Sequence, residues 1–389
     1  MRTQLLSLMV ALTLLAGCQT QQTPVPAPMG PIGVGSFVEQ WQAPLVLSSS
    51  NQLTDLVLQE DTLFATTDQN SVYSIDAASG KIAWVQRIGN RDDQLRRPFI
   101  PAKGITVVPA GSTLVEISNG GRTVKTIEIG HSIRSPLTGA ANFVYAGVDY
   151  PNGGHLAKID LSLPLNNSRW ELMTPAGVSA APVLFQGVIY FGGEDGLVYA
   201  VNESRLLTWP YVFKTDGPIL ADVKADAFGV YVASMDSKLY CIDAGSGKIK
   251  WQYFAGTALN TAPQVTEDSV YIDVPGQGVA ALDKTTGDPF RKPRWLIVGT
   301  KQFLAEDEQN VYLRGMDNSI IGVDKKKGDT KFHSQRHDLI AFASNTKTNM
   351  IYAATANGLV LGIKPVSKAG VVGQVVEAGH SFEQVALSR

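Results

Sequence analysis

The chain has 389 residues, of which 44% are hydrophobic and only 17% charged, and its 37 glycines and 20 prolines favour many short strands and turns. Long helical bundles and coiled coils are therefore excluded. The formal charge is −2 with no long run of either sign, so nucleic acid is not an expected partner.

The first predicted element is an export signal in residues 1–17. Arg2 precedes an apolar run over residues 5–16, which is too short to span a bilayer as a mature helix. The signal ends in Leu-Ala-Gly-Cys and resembles the bacterial lipobox, which implies cleavage before Cys18 and attachment of lipid to its thiol. The alternative is an ordinary secretory signal that happens to contain a cysteine.

The segment after the signal is predicted to be a tether. Gln19 stands where inner-membrane retention signals have aspartate, so the resemblance to sorted lipoproteins implies the periplasmic face of the outer membrane. Residues 18–35 are rich in glutamine, proline and glycine and cannot bury a core. We expect a lipidated, flexible tether here and a separate C-terminal tail over residues 367–389.

Residues 36–366 contain an internal repeat. One phrase reads VYSIDAASGKIAW at residues 72–84 and LYCIDAGSGKIKW at residues 239–251. When its aspartate is taken as the anchor, eight copies follow one another at spacings of 40 to 44 residues. The anchor positions are Asp76, Glu116, Asp160, Asn202, Asp243, Asp283, Asp324 and Lys364.

A complete copy contains four short segments rich in β-branched and aromatic residues, separated by turn residues. The fourth copy shows them at residues 180–185, 188–191, 197–201 and 208–213. Four strands within a period in the low forties are typical of a β-propeller blade, whereas helical repeats would need longer amphipathic runs. The sequence therefore predicts an all-β fold, an eight-bladed β-propeller of four-stranded blades.

The ends of the repeat region indicate how the ring closes. The last copy offers three strands before Pro365, whereas residues 36–42 have the pattern of a tryptophan-bearing fourth strand. We predict that this N-terminal strand completes the last blade and removes two exposed sheet edges. All six tryptophans are predicted to lie in fourth strands and to pack between blades: Trp41, Trp84, Trp170, Trp209, Trp251 and Trp295.

The residues that recur within the phrase are explained by its turn. An aspartate at the first turn position accepts hydrogen bonds from backbone amides, and a glycine four residues after the anchor supplies positive φ. Gly120 is one of the glycines at this position. Pro164 and Leu206 stand where this glycine is expected, which predicts altered turns in blades 3 and 4. We interpret the following as structural anchors rather than catalytic or calcium-binding residues: Asp76, Gly80, Trp84, Asp243, Gly247, Trp251, Asp283, Gly287, Asp324 and Gly328.

The phrase Asp-x-x-Ser-Gly-Lys-x-x-Trp resembles the tryptophan-docking repeat of the PQQ-like propeller superfamily. An exported, lipid-anchored, eight-bladed propeller of this length is similar to the BamB family of outer-membrane assembly lipoproteins. That resemblance implies a non-enzymatic scaffold that binds a BamA-type subunit of the assembly complex through surface loops and helps to deliver unfolded outer-membrane proteins.

Two segments are the candidate partner-contact loops. One contains Arg91, Arg96 and Arg97 between blades. The other, from Thr174 to Gly177, matches a family loop that presents apolar and arginine contacts, and it departs from that pattern because it reads Thr-Pro-Ala-Gly.

Two alternative functions stay open. A dehydrogenase that uses PQQ is built on the same repeat, but resemblance to those enzymes implies a longer chain, calcium ligands and an adjacent cysteine pair, and the chain has only Cys18 and Cys241. A propeller that binds a cell-envelope polymer or another protein is the second alternative. No catalytic, cofactor-binding or metal-binding residue is predicted, and His333 and His337 are interpreted as loop residues without a third ligand.

Overall fold

The computed structural model describes residues 37–48, 51–163, 169–287, 292–334 and 336–366. The predicted export signal, Cys18, the tether, Pro164 and the tail lie outside these residues. The described strands form eight antiparallel sheets of four strands each, and together the sheets form a ring. The prediction of an all-β, eight-bladed propeller is therefore confirmed. Within the described ranges, no helix is long and apolar enough to cross a membrane.

The first strand of the chain belongs to the last blade, and blades 1 to 4 follow it in sequence. Their strands are β1 (Phe37–Pro44); β2 (Leu53–Gln59), β3 (Thr62–Thr67), β4 (Ser71–Asp76) and β5 (Ile82–Arg87) in blade 1; β6 (Phe99–Ala102), β7 (Ile105–Ala110), β8 (Thr113–Ser118) and β9 (Thr123–Glu128) in blade 2; β10 (Thr138–Ala140), β11 (Phe143–Tyr150), β12 (Gly153–Asp160) and β13 (Arg169–Thr174) in blade 3; and β14 (Val183–Phe185), β15 (Val188–Gly192), β16 (Leu197–Asn202) and β17 (Phe213–Lys214) in blade 4.

The second half of the ring is built in the same order. Its strands are β18 (Lys224–Ala225), β19 (Val230–Ala233), β20 (Lys238–Ile242) and β21 (Ile249–Phe254) in blade 5; β22 (Gln264–Val265), β23 (Ser269–Val274), β24 (Gly278–Asp283) and β25 (Trp295–Val298) in blade 6; β26 (Thr300–Glu306), β27 (Asn310–Gly315), β28 (Ile320–Asp324) and β29 (Thr330–His333) in blade 7; and β30 (Leu339–Ala343), β31 (Ile351–Thr355) and β32 (Leu359–Pro365) in blade 8.

Strand β1 closes the ring, as the sequence predicts. It pairs antiparallel with β32 from Phe37 opposite Pro365 to Pro44 opposite Leu359, and it forms the outer strand of blade 8. An ion pair of 2.9 Å between the Arg336 guanidinium and the Glu39 carboxylate adds a side-chain contact between the linker before blade 8 and β1. Blade 8 thus joins the two ends of the propeller.

The core lies between neighbouring blades. The second and third strands of each blade are buried on both faces, which explains why they are almost continuously apolar in sequence. The second strands of four blades place fully buried tyrosine rings there, namely Tyr145, Tyr231, Tyr271 and Tyr312. Every tryptophan lies next to an aromatic ring from its own blade, with ring centres 5.6 to 6.2 Å apart.

Tryptophans of the outer strands also bind the turn of the following blade. The indole nitrogen donates to the carbonyl oxygen of the residue after the anchor, at 3.1 Å for Trp41 and Ala77 and at 2.8 Å for Trp251 and Lys284. The ring lies on the turn glycine, where a Cβ on Gly287 would come within 2.5 Å of Trp251. Positive φ and this close approach therefore both require glycine.

The anchor aspartates stabilise the same turns. The Asp76 carboxylate accepts a hydrogen bond of 2.8 Å from the Ser79 amide, and the Ser79 hydroxyl and amide hold the pKa of Asp76 below its usual value. Burial opposes this effect at Asp283, but hydrogen bonds from Thr285 and Thr286 lower its pKa to about 2. These contacts explain the repeated aspartate without any catalytic role.

Two sequence assignments in the repeat are wrong. Trp209 lies in the loop before β17 rather than in a fourth strand, although its indole still donates to the Ala244 carbonyl at 2.8 Å. In blade 2 the anchor is Ser118 rather than Glu116, because the Ser118 amide closes the turn on the Arg122 carbonyl at 2.9 Å. This turn is one residue shorter than that of blade 1.

The shorter turn also changes which residue has positive φ. Gly121, rather than Gly120, has a φ of 74° and lies against Trp84. Blade 4 has the altered turn that Leu206 predicts, and Arg205 takes the positive φ of 66°. A turn can therefore lose a residue or its glycine while the blades stay in contact.

Candidate functional site

The two ends of the propeller differ in what they expose. The turns with the Asp and Gly anchors lie on one end, which we call the turn face. The segments that join one blade to the next, together with the hairpins between second and third strands, lie on the other end, which we call the linker face. Arg91, Arg96, Arg97, Thr174 and Gly177 all lie on the linker face.

A cavity of about 960 Å³ runs along the propeller axis and is lined by residues from all eight blades or their linkers. Three arginines, Arg96, Arg97 and Arg134, contribute to its wall from the linkers before blades 2 and 3. Carboxylates of Asp55, Asp222 and Asp273 also line it, so the cavity contains charges of both signs.

Arg97 forms an ion pair with Asp222, which lies 125 residues further along the chain in the linker before blade 5. The Asp222 carboxylate also accepts a hydrogen bond of 2.9 Å from the Ala181 amide. Burial raises the pKa of Asp222, but the charges of Arg97 and Lys224 and the Ala181 amide outweigh it and hold that pKa below its usual value. Arg97 therefore connects distant linkers around the axis.

A second network joins the two segments that the sequence singles out. Arg134 forms ion pairs with Asp149 at 3.2 Å and with Glu194 at 2.9 Å. The Glu194 amide donates to the Gly177 carbonyl at 2.9 Å, while the Arg96 side chain donates to the Ile133 carbonyl at 3.4 Å, next to Arg134. Segments 91–97 and 174–177 thus lie on neighbouring parts of one rim.

The candidate contact residues differ in their exposure. Arg91 is exposed, whereas Arg96, Arg97 and Gly177 are half-buried. Thr174 is only 1% exposed, and its hydroxyl lies 2.8 Å from the Gly154 carbonyl and 2.7 Å from the Ala176 carbonyl. Thr174 therefore shapes the loop from inside, and the exposed part of that segment is Pro175.

Two further acids that line the cavity, Asp55 and Asp273, have raised pKa values. Burial raises the pKa of Asp273 to about 6, although the charge of Lys301 acts in the opposite direction. Burial also raises the pKa of Asp55, although a hydrogen bond from the Leu56 amide and the charge of Arg97 act in the opposite direction. At these two carboxylates, nearby cations and hydrogen bonds therefore offset the cost of burying the negative charge less completely than they do at Asp222.

The two histidines of the sequence analysis converge on an acid that was not predicted. His333 Nε2 and His337 Nδ1 lie 3.7 and 3.5 Å from the Asp317 carboxylate. Among the residues that the structure describes, no group of three or more histidines, cysteines or acids is arranged to hold a metal ion.

The donors of the cavity do not fit a calcium-bound quinone. The described residues offer no such metal-ligand group, and the sequence has no adjacent cysteine pair. Cys241 is fully buried in β20 opposite Trp251, and burial raises the pKa of its thiol to about 12. We therefore derive no redox step for this chain.

Sequence reasoning missed Arg134, Asp149, Glu194, Asp222 and Asp273. Each is a single charged residue in a linker, a hairpin or a strand, and the ion pairs of Arg134 with Glu194 and of Asp222 with Arg97 join residues 60 and 125 positions apart. A usable signal exists, because Arg97, Arg134 and Asp222 all stand two to four residues before the first strand of a blade. Residues at this position line the axial cavity from the linkers before blades 2 to 6.

Comparison with known proteins finds a match to two stretches of the chain. Residues 38–126 and 214–290 match a family model described as "Outer membrane protein assembly factor BamB". A BamB of Nitrosomonas eutropha is 30% identical over 141 residues, which cover 35% of this chain and 33% of that protein. A quinohemoprotein alcohol dehydrogenase of Comamonas testosteroni is 26% identical over 238 residues, or 55% of this chain and 32% of that enzyme.

The matched segments thus span about a third of the length of these curated relatives. In structure, the chain is similar to BamB from Moraxella catarrhalis, with a TM-score of 0.64 and 16% identity over 84% of this chain and 97% of that one. A computationally designed protein, Ika8, gives a TM-score of 0.63 at 14% identity over 81% of this chain and 96% of that one. Likeness at such identity shows the fold alone.

Together, the repeat and these matches define the chain as a PQQ-like repeat β-propeller. Within that superfamily it resembles the BamB family of outer-membrane assembly factors.

Proposed function

We propose that the chain is a non-enzymatic scaffold of BamB type that assists the assembly of outer-membrane β-barrel proteins. The observation that supports this most is the contact network on the linker face, which brings segments 91–97 and 174–177 to one rim through Arg134 and Glu194. Loops on a rigid framework are where binding residues concentrate. The family match supports the same role.

The proposed partner is a BamA-type subunit of an outer-membrane assembly complex, with unfolded barrel proteins as clients. The linker face is the proposed docking surface, because the turn face uses its repeated Asp, Gly and Trp residues for blade packing. A photo-crosslinking residue at Arg91 tests this, with Arg122 on the turn face as the matched control. We expect a crosslink to the assembly subunit from position 91 and none from position 122, and the reverse result contradicts the proposed surface.

The proposed location is the periplasmic face of the outer membrane, with lipid attached to Cys18. Acyl chains contribute about 0.8 kcal/mol per buried methylene, so several chains anchor a protein firmly. Cys18→Ser is expected to leave the propeller folded and to abolish membrane attachment. Metabolic labelling with a fatty acid is the measurement, and a mature protein without label rejects the anchor.

Function is tested by deletion of the gene together with assays of the purified protein. We expect lower levels of outer-membrane barrels and greater sensitivity to large antibiotics in the deletion strain. Normal barrel levels and no co-purified assembly subunit would favour the alternative, binding of an envelope polymer or another protein.

The dehydrogenase alternative is kept because a quinohemoprotein alcohol dehydrogenase matches 55% of the chain. Reduction of a dye that depends on added PQQ would establish it and reject the scaffold role. We expect no such reduction.

A further inference from the structure

Beside the axial cavity lies a smaller one of about 360 Å³, lined by side chains that are all polar. They are Gln94, Arg96, Ser132, Arg134, Asp149 and Ser179. This volume is at the lower end of the range of small-ligand pockets, and the polar lining favours a polar group. The cavity lies on the rim that joins the two candidate contact segments.

Arg96 is the cation of this cavity that lacks a charged partner. Its guanidinium donates to the Ile133 carbonyl at 3.4 Å and to the Gln94 side-chain oxygen at 3.3 Å, two long bonds to neutral acceptors. A guanidinium has five N–H donors, and no carboxylate among the described residues lies within ion-pair distance of Arg96. Burial and the neighbouring charge of Arg134 lower the pKa of Arg96 although the charge of Asp149 acts in the opposite direction, so the charge of Arg96 is only partly compensated.

The other members of the cavity complete a site for an anion. Arg134 is already held by Asp149 and Glu194 and supplies a second positive charge behind Arg96. The Ser179 hydroxyl oxygen is buried and has no hydrogen-bond partner among the described residues. Ser132 adds another hydroxyl donor.

We propose that this cavity binds a carboxylate of a polypeptide that docks on the linker face, with Arg96 as its main ligand. A planar guanidinium matches a carboxylate in a bidentate arrangement. Asp149 and Glu194 balance much of the positive charge here, and the cost of removing an ion from water grows with the square of its charge, so a single negative charge is accommodated better than a dianion such as phosphate. This inference rests on the proposed docking function and adds the chemistry that it recognises.

The test uses the purified mature protein and three Gly/Ser decapeptides, each labelled at its N-terminus with an uncharged BODIPY dye that carries no free carboxylate. One has internal glutamates and an amidated C-terminus, one has glutamines and a free C-terminus, and one has glutamines and an amidated C-terminus. Fluorescence anisotropy at low salt measures binding. The first two peptides separate an acidic side chain from a chain terminus, and the third is the uncharged control.

We expect at least one carboxylate peptide to bind and the uncharged peptide not to bind. Arg96→Gln is expected to weaken that binding about tenfold or more, whereas Arg122→Gln on the turn face leaves it unchanged. Circular dichroism and the melting temperature establish that Arg96→Gln is folded. Ser179→Ala is expected to weaken binding by a smaller factor.

Equal binding by wild type and folded Arg96→Gln would overturn the inference, as would no binding of either carboxylate peptide at about 1 mM. Competition by inorganic phosphate at lower concentration than acetate contradicts a carboxylate site. Co-purification of an assembly subunit with the wild-type protein is measured separately. The carboxylate site and the docking function can therefore fail independently.

Discussion

In blade 5 the indole of Trp251 donates to the Lys284 carbonyl of the next blade, whereas in blade 2 the equivalent position is Lys125, whose ammonium donates to the Leu161 carbonyl at 2.8 Å. The strand register shows the equivalence, because Lys125 pairs with Glu116 just as Trp251 pairs with Cys241, each next to a bulge. Both side chains thus supply an N–H group to the residue after a turn anchor. Between these two blades the donor is retained, whereas the aromatic ring is not.

Blade 3 departs from blade 5 in another way. Lys158 stands opposite Trp170, where blade 5 has the small Cys241, and its ammonium lies 3.9 Å from the Phe143 ring centre and 3.7 Å from Glu203 of blade 4. Residues 127–213, between the two segments that match the family model, include this part of the ring. The same stretch contains Arg134, Asp149 and Glu194. Blades 3 and 4 therefore supply one part of the candidate rim, segment 91–97 supplies the other part from within a matched stretch, and the remaining strands of the ring form the framework.

The largest effect is expected from removing β1, which tests whether the framework depends on closure. Deleting residues 36–44 removes the buried Phe37 and Trp41 and exposes the edge of β32, so we expect a loss of more than about 5 kcal/mol in the free energy of unfolding. Deleting residues 19–32 is the control and is expected to leave the melting temperature unchanged. Equal melting temperatures for both deletions would reject closure by β1.

The second-largest effect tests whether the conformation of a turn, rather than the position of a glycine in the repeat phrase, decides which glycine is required. Gly287→Val places a branched side chain at a φ of 68° and within 2.5 Å of Trp251, and we expect a loss of about 3 kcal/mol in the free energy of unfolding. Gly120→Val is the control, because a Cβ on Gly120 meets nothing within 4 Å. Chemical denaturation measures both variants. A Gly120 variant as unstable as the Gly287 variant would contradict the turn assignment of blade 2.

These blades also show how far the sequence predicts the fold. Spacing of the repeat phrase predicts eight blades, and the missing strand after Ile363 predicts closure by β1, since both depend on patterns of alternating strands and turns. The sequence misplaces the anchor of blade 2, because a turn shortened by one residue moves the anchor from Glu116 to Ser118 without changing the strand pattern. The fourth-strand prediction for Trp209 is wrong because this tryptophan lies in a long loop, from which its indole still donates to the Ala244 carbonyl of the next blade.

The candidate site is less predictable for a physical reason. Arg134 and Glu194 are 60 residues apart, and Arg97 and Asp222 are 125 residues apart, so they meet only after blades pack around the axis. Arg96 and Gly177 lie in segments that the sequence singles out, but their partners have no local motif. Their role in partner binding stays a prediction.

A smaller effect, which depends on pH, is expected from Asp273 in the wall of the axial cavity. Because burial raises the pKa of Asp273 from 3.8 to about 6, the native state holds its proton more tightly than the unfolded state between these values. The destabilisation caused by the ionised Asp273 carboxylate is therefore absent below about pH 4 and reaches its full size above about pH 6. Asp273→Asn is expected to stabilise the protein by about 1–2 kcal/mol at pH 8 and much less at pH 4.5.

Melting temperatures of wild type and Asp273→Asn at the two pH values measure this difference. Asp92→Asn, which removes an exposed charge from a linker, corrects for the change in net charge. A stabilisation by Asp273→Asn that is equal at both pH values, or larger at pH 4.5, contradicts an under-compensated carboxylate on the cavity wall.

The smallest effect tests whether Lys125 replaces a docking tryptophan. Lys125→Met keeps most of the aliphatic side chain and removes the ammonium that donates to the Leu161 carbonyl, so we expect a loss of about 1 kcal/mol in the free energy of unfolding. Lys103→Met is the control, since it removes a lysine from the hairpin between β6 and β7 on the same face. Lys125→Arg retains N–H donors and is expected to recover most of the loss. If Lys125→Met is as stable as Lys103→Met, the hydrogen bond to Leu161 contributes nothing, and the indole of the regular blades stabilises them through ring packing rather than through its N–H group.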